Sequence, residues 1–98
     1  MPTVVQVDNE ASDNFTIVEV FTEDRIGVLF KITYALHQLG LSIHVAKVST
    51  NVDQAADIFY VTDENGKKIQ EPVRLEEIRL SLYESLAPQD ERVAQSLH

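Results

Sequence analysis

The sequence predicts one α+β domain, in which a four-stranded antiparallel sheet carries two helices on one face. Three observations support this prediction: short segments rich in β-branched and aromatic residues, two segments with apolar residues at helical spacing, and turn residues between them. The order of these segments is β-β-α-β-β-α, with no strand after the last helix. The N-terminal strand is therefore expected to take the place of a closing C-terminal strand.

The first two strands are predicted on either side of a turn-rich segment. The run VVQV at Val4 to Val7 is β-branched, and FTIVEVF at Phe15 to Phe21 alternates along its length. Its apolar residues fall on both faces, with Phe15, Ile17 and Phe21 on one face and Val18 and Val20 on the other. A strand that is apolar on both faces is expected in the middle of a sheet.

The first helix is predicted where the apolar period changes at Gly27. Apolar residues then recur on one helical face, namely Val28, Leu29, Ile32, Ala35, Leu36 and Leu39. Gly40 is placed to end this helix as its C-terminal cap. Phe30 and Tyr34 are spaced to meet on the flank of the helix.

A hairpin and a second helix follow. Ser42 to Thr50 has the alternation of a half-buried strand, Asn51 to Gln54 reads as a turn, and Ala56 to Thr62 returns as the next strand. After a second turn at Asp63 to Gly66, apolar residues at helical spacing begin behind Pro72. These apolar residues are Leu75, Ile78, Leu82 and Leu86. We expect residues 1–88 to form the domain and residues 89–98 a polar tail.

Composition excludes several classes of function. Eight basic residues against 16 acidic ones give a net charge of −8, which disfavours nucleic acid and anionic membranes as partners. No cysteine is present, and no apolar stretch is long enough to cross a membrane, so a soluble cytoplasmic protein is expected. The three histidines are not closely spaced and no calcium-loop pattern occurs, so we expect no metal ion and no cofactor.

The stretch TEDRIGVLFKI at Thr22 to Ile32 is a candidate site for a small anion. The first amides of a helix have no partner within the helix, so those near Gly27, Val28 and Leu29 could hold a carboxylate. Asp24 could then meet an α-ammonium group, and the turn would present both complements of a free amino acid. In the alternative interpretation Asp24 only caps the helix and Arg25 is solvated.

Three motifs resemble the ACT domain family of small regulatory modules. They are DRIGVL at Asp24 to Leu29, LGLSIHVAKV at Leu39 to Val48, and DIFYVTDENGKKI at Asp57 to Ile69. Together they are most similar to the C-terminal ACT domains of bacterial uridylyltransferase/uridylyl-removing enzymes that modify the PII protein. The resemblance implies a ferredoxin-like ACT sandwich over almost the whole chain.

The resemblance also implies a function in sensing an amino acid, with glutamine favoured. The ligand would lie between the strand-to-helix loop of one module and the start of a strand in its neighbour, either a second copy in a homodimer or another ACT domain. The implied ligand-binding residues are Asp24, Arg25, Ile26, Gly27, Val28, Leu29, Leu41, Ser42, Ile43 and His44. The domain itself would not be catalytic and would control a parent nucleotidyltransferase.

Three other functions stay open from the sequence. Ile26 and Ser42 stand where the family commonly has proline and asparagine, which is compatible with a dimerisation module that binds no ligand. An RNA-recognition module has a related topology, but the basic and aromatic signature is absent. An acyl-phosphate hydrolase is supported only by Arg25 in its loop. Asp57 interrupts a strand without a catalytic companion and is interpreted as a hydrogen-bonding residue at an edge or interface.

Overall fold

The computed structural model describes residues 3–22, 27–50 and 55–87 of the chain. Within these ranges it contains the predicted elements in the predicted order. They are β1 at Val4–Asp8, β2 at Thr16–Thr22, α1 at Val28–Gln38, β3 at Ser42–Thr50, β4 at Ala55–Thr62 and α2 at Pro72–Leu86. The predicted turn at residues 51–54 and the predicted tail at residues 89–98 lie outside the described residues.

The four strands form one antiparallel sheet in the order β1-β2-β4-β3. The N-terminal strand therefore lies at one edge, beside β2, as the sequence predicted. The central position predicted for the second strand is also confirmed, because β2 pairs with β1 on one side and with β4 on the other. The hairpin of β3 and β4 supplies the other edge.

Both helices pack on the same face of the sheet and enclose the hydrophobic core. The sheet contributes Val5, Val18, Val20, Phe59 and Val61, and the helices contribute Val28, Ile32, Ala35, Leu36, Ile78, Leu82 and Leu86. Val18 and Val20 are fully buried, because they project from the central strand towards the helices. Among the described helices, none has the length and apolar character needed to span a membrane.

The end of α1 is fixed by a Schellman motif at the predicted glycine. Gly40 has a φ of +77°, which a side chain at this position would disfavour. Its amide donates to the carbonyl oxygen of His37, and the amide of Leu41 donates to that of Leu36, both over 3.0 Å. The chain is thereby turned from the helix into β3.

Two details of the sequence interpretation are wrong. The strand β3 was expected to be half-buried, but its described side chains at residues 42–48 are all exposed, because it is an edge strand that α1 covers poorly. Asp57 was expected to form hydrogen bonds at an edge or an interface, but β4 is an inner strand and Asp57 is only 3% exposed on its helix-facing side. Alternation alone does not reveal which strand a sheet places at its edge.

Candidate ligand-binding site

The turn at Gly27 gives α1 an open N-terminus. Gly27 occupies the N-cap position with a φ of +85° and no side-chain cap. The first helical hydrogen bond described here runs from the Lys31 amide to the Gly27 carbonyl oxygen over 2.9 Å. The preceding amides, including those of Val28 and Leu29, have no acceptor within the helix. These amides, with the positive end of the helix dipole, form a site suited to a carboxylate.

The surroundings of Gly27 leave space for a ligand. Gly27 is exposed, and a Cβ atom added there would meet none of the described atoms within 4 Å. The Val28 side chain points into the core at 6% exposed, whereas Leu29 is 45% exposed. Of the predicted ligand residues in this loop, the structure therefore describes two apolar side chains and their backbone amides.

Asp24, Arg25 and Ile26 lie outside the described residues. Their assignment as ligand residues stays a prediction. One observation argues against the alternative in which Asp24 caps the helix, because Gly27 occupies the N-cap position.

The second predicted group of ligand residues lies where α1 leads into β3. Leu41 belongs to the core at 7% exposed, so it can offer a ligand only its backbone. Ser42 and His44 are exposed, and Ile43 is 37% exposed. A register shift between Ile43 and Val45 interrupts the regular pairing of β3 with β4 around His44.

His44 has two partners that the sequence analysis did not find. Its Nε2 atom lies 2.8 Å from the Thr62 hydroxyl oxygen, and its ring centroid lies 5.2 Å from that of Phe15. The Phe15 ring in turn makes an edge contact with Tyr60 at 6.0 Å. Alternation could place Phe15 and Tyr60 on a common face, but the register shift that aims His44 at them has no signal in the sequence.

Within one chain, the two groups of predicted ligand residues lie at opposite ends of the sheet. Thr22, which leads into the Gly27 turn, pairs with Ala55, and Ala55 also pairs with Thr50 at the end of β3. Ser42, at the start of β3, pairs with Thr62 at the other end of β4. The two groups are joined by α1, whose 11 residues span about 16 Å at roughly 1.5 Å per residue. A free amino acid cannot span that distance.

A groove between the two helices is a separate concavity. It has a volume of about 430 Å³ and is lined by residues that include Phe30, Tyr34, Ser81 and Ser85. Phe30 and Tyr34 stack with their ring centroids 6.0 Å apart, as their spacing predicted. Within the described ranges, no group of histidine and acidic side chains could hold a metal ion.

The sequence of the chain also matches a known protein family. The model of the N-terminal ACT domain of the ACR family matches residues 11–88. The chain belongs to the ACT domain family, whose members are regulatory domains. This confirms the family expected from the three sequence motifs.

The chain is similar to part of larger bacterial enzymes. The bifunctional uridylyltransferase/uridylyl-removing enzyme of Gluconobacter oxydans (strain 621H) is 44% identical over 86 residues, which are 88% of this chain and 9% of the enzyme. The enzyme of the same name from Azospirillum brasilense is 42% identical over 87 residues, which are 89% of this chain and 9% of the enzyme. The chain thus spans about one-tenth of these relatives. No solved structure matches it.

Proposed function

We propose that the chain is an amino-acid-sensing regulatory domain and that its ligand is glutamine. The α-carboxylate would accept hydrogen bonds from the amides at the start of α1, beside Gly27. Asp24 would pair with the α-ammonium group, and Ser42 and His44 of a neighbouring module would contact the side-chain amide. The amide group is the part of glutamine that donors and acceptors on a neighbouring strand can recognise.

The observation that carries this proposal is the separation of the two groups of ligand residues within one chain. Among the described strands, β3 lies at an edge of the sheet and pairs only with β4. If two such edges pair in antiparallel fashion, the Ser42 end of one copy meets the Thr50 end of the other. That end is separated by β4 alone from Thr22, the last residue of the strand that precedes Gly27 in the chain. Two composite sites would then form, each with one half from each module.

We further propose that the domain regulates a parent enzyme. The relatives from Gluconobacter oxydans and Azospirillum brasilense are bifunctional uridylyltransferase/uridylyl-removing enzymes. By this similarity the parent would be a cytoplasmic nucleotidyltransferase that modifies the PII protein. Glutamine would shift the equilibrium between the two active conformations of the enzyme. The size of the shift would be set by how much more tightly glutamine binds one conformation than the other.

A module that pairs through β3 without a ligand is the second candidate. The nine-residue edge strand favours it, because β3 would support pairing whether or not the Gly27 turn holds an amino acid. The two candidates differ in one measurable property. Only the sensing module is stabilised by an amino acid.

The test is the melting temperature of the 98-residue chain with and without each common amino acid. Glutamine at about 100 times its dissociation constant should add roughly 2.7 kcal/mol to the free energy of unfolding, a rise of many degrees for a domain of this size. Light scattering on the same samples gives the size of the assembly. No rise with any amino acid would leave the ligand-free pairing module as the better description.

Gly27→Val tests whether the turn is the site, and Gly66→Val is its matched control. Both glycines have a positive φ, at +85° and +80°, and a Cβ atom at either would meet no described atom within 4 Å. Each substitution should therefore cost a similar backbone strain of about 1–2 kcal/mol. Only Gly27→Val should abolish the stabilisation by glutamine. An equal response of the two variants to glutamine would show that the ligand binds elsewhere.

A further inference from the structure

Neither described helix packs on the other face of the sheet, although Ile17 on that face is only 6% exposed. We call this face the open face. The pairing registers arrange its side chains in rows that cross the sheet. One row contains Asp8, Ile17, Tyr60 and Val45, the next contains Gln6, Glu19, Ile58 and Lys47, and the third contains Val4, Phe21 and Ala56. The face is mostly apolar, and a surface of this kind usually marks an interface.

The two charges of the middle row are placed symmetrically about β4. Glu19 pairs with Ile58 from one side, and Lys47 pairs with Ile58 from the other. The acid and the base each lie one strand from Ile58, about 4.8 Å to either side. Glu19 is half-buried and Lys47 is exposed.

Lys47 lies over the open face and does not extend away from it. Its Nζ atom is 5.1 Å from the centroid of the Tyr60 ring and 3.4 Å from the Tyr60 hydroxyl oxygen. A cation held above an aromatic ring is available to a group that approaches the face from outside. Ile58 and Tyr60 are half-buried, and Val45 is 40% exposed, so the apolar surface around this cation is also unfilled.

We propose that the open face binds the open face of a second copy of the chain. The two-fold axis is parallel to β4 and lies midway between the two sheets. It places β2 of each copy opposite β3 of the other copy. Glu19 of each copy then faces Lys47 of the other, and Ile58 meets Ile58 at the axis. Tyr60 meets Tyr60 in the adjacent row, while Ile17 faces Val45. Two sheets pack face to face at about 10 Å, a distance that these long charged side chains can bridge.

The charge pattern favours a second copy over an unrelated partner. An isologous interface requires a surface that is complementary to itself, and one acid and one base at equal distances from a central apolar residue meet that requirement. The three strands that overlap under this axis, β2, β4 and β3, cover roughly 14 Å by roughly 17 Å, which is smaller than a standard interface of about 800 Å² per partner. The association should therefore be weak and depend on protein concentration.

Substitutions at Glu19 separate this association from pairing through β3, whereas Lys47 and Val45 of the open face lie on β3 itself. Glu19 lies on β2, which is separated from the β3 edge by β4. A substitution at Glu19 should therefore leave the edge pairing unchanged. If both contacts form, loss of the open-face contact halves the size of the assembly.

Sedimentation equilibrium of the full chain and its charge variants tests the proposal. Glu19→Lys and Lys47→Glu should each raise the dissociation constant of the open-face contact at least tenfold, roughly, because both cross-pairs of the dimer become like-charged. An equal mixture of the two variants should restore association, since every lysine then faces a glutamate. Glu84→Lys, an exposed position on α2, is the control with the same change of charge and should associate normally.

Circular dichroism shows whether each variant is folded. If Glu19→Lys does not fold, Glu19→Gln removes the attraction with less disturbance and should still weaken the contact. The unmodified chain should also dissociate as the salt concentration rises. The proposal is overturned if association is unaffected by the Glu19 substitutions, if the mixed variants fail to associate, or if the chain shows no association that salt weakens.

Discussion

The hydroxyl group of Thr16 joins two distant segments at the start of β2. It donates to Asn9 Oδ1 over 2.7 Å and accepts the Ile69 amide over 3.1 Å, and the Asn9 side chain donates to the Ile69 carbonyl oxygen over 2.6 Å. Thr16 itself is fully buried. This small network fixes the segment that precedes α2 against the turn between β1 and β2.

Thr16→Val should lower the free energy of unfolding by about 1–3 kcal/mol, because the Ile69 amide would lose its acceptor in a buried position. Urea denaturation followed by circular dichroism measures the loss. Thr33→Val is the control, since the Thr33 hydroxyl bonds only the Leu29 and Phe30 carbonyl oxygens of its own helix at an exposed position. A similar effect in the two variants would contradict the role of the network.

Single residues differ in how well their positions follow from the sequence. Gly27 was predictable, because a change of period at a glycine indicates the start of a helix. The contact of His44 with Thr62 was not, since it depends on the pairing of β3 with β4 and on a local register shift. The position of Asp57 was also predicted wrongly, because an acidic residue in a short strand does not indicate whether that strand lies at the edge of the sheet.

The helix α2 shows how one element divides between core and solvent. Ile78 is fully buried, whereas Leu80, two residues later, is 44% exposed. Helical periodicity explains the difference, because residues two apart point to different sides of a helix. The buried side packs on the sheet beside β1 and on α1.

Ile78→Ala should therefore cost about 2–5 kcal/mol of folding free energy, while Leu80→Ala on the same helix should cost less than about 1 kcal/mol. Both substitutions remove an aliphatic side chain and place alanine at a helical position. The difference between their losses of folding free energy therefore measures the contribution of burial. The midpoints of urea unfolding give the two values. Comparable losses would indicate that the outer side of α2 is also covered in solution.

The elements themselves were predictable because their patterns are local. Period, turn residues and the glycine caps located the two helices and the four strands to within a residue or two. The exposure of β3 was not predictable from its alternation. Its side chains are exposed because the sheet order places it at an edge and α1 leaves it largely uncovered, and both facts belong to tertiary structure.

At the scale of the whole molecule, a ligand site shared between two copies would link binding to assembly. A ligand that contacts both copies stabilises the dimer and not the monomer. Glutamine at about 100 times its dissociation constant should therefore strengthen dimerisation at least a hundredfold, roughly. Sedimentation at several protein concentrations, with and without glutamine, measures this change.

The control for this linkage is Gly27→Val, which should dimerise without any response to glutamine. An assembly that is the same size with and without the amino acid, at concentrations where the dimer is only partly formed, would contradict a shared site. The topology that leads to this expectation was predicted from the order of the elements. The separation of the two groups also follows from the predicted helix between them, but the position of Thr22 and Thr50 at one end of the sheet does not, because it requires the parallel orientation of β2 and β3 on either side of β4.

The central position of β2 affects how the chain folds as it leaves the ribosome. Its partner β1 has already been synthesised and lies a short turn away, whereas β4 begins only at Ala55, after α1 and β3. Until β4 emerges, β2 has one bare edge, and Val18 and Val20 lack most of the partners that bury them. Closing that long loop is entropically costly and must come late. A nascent chain that stalls before β4 should therefore be a substrate for chaperones.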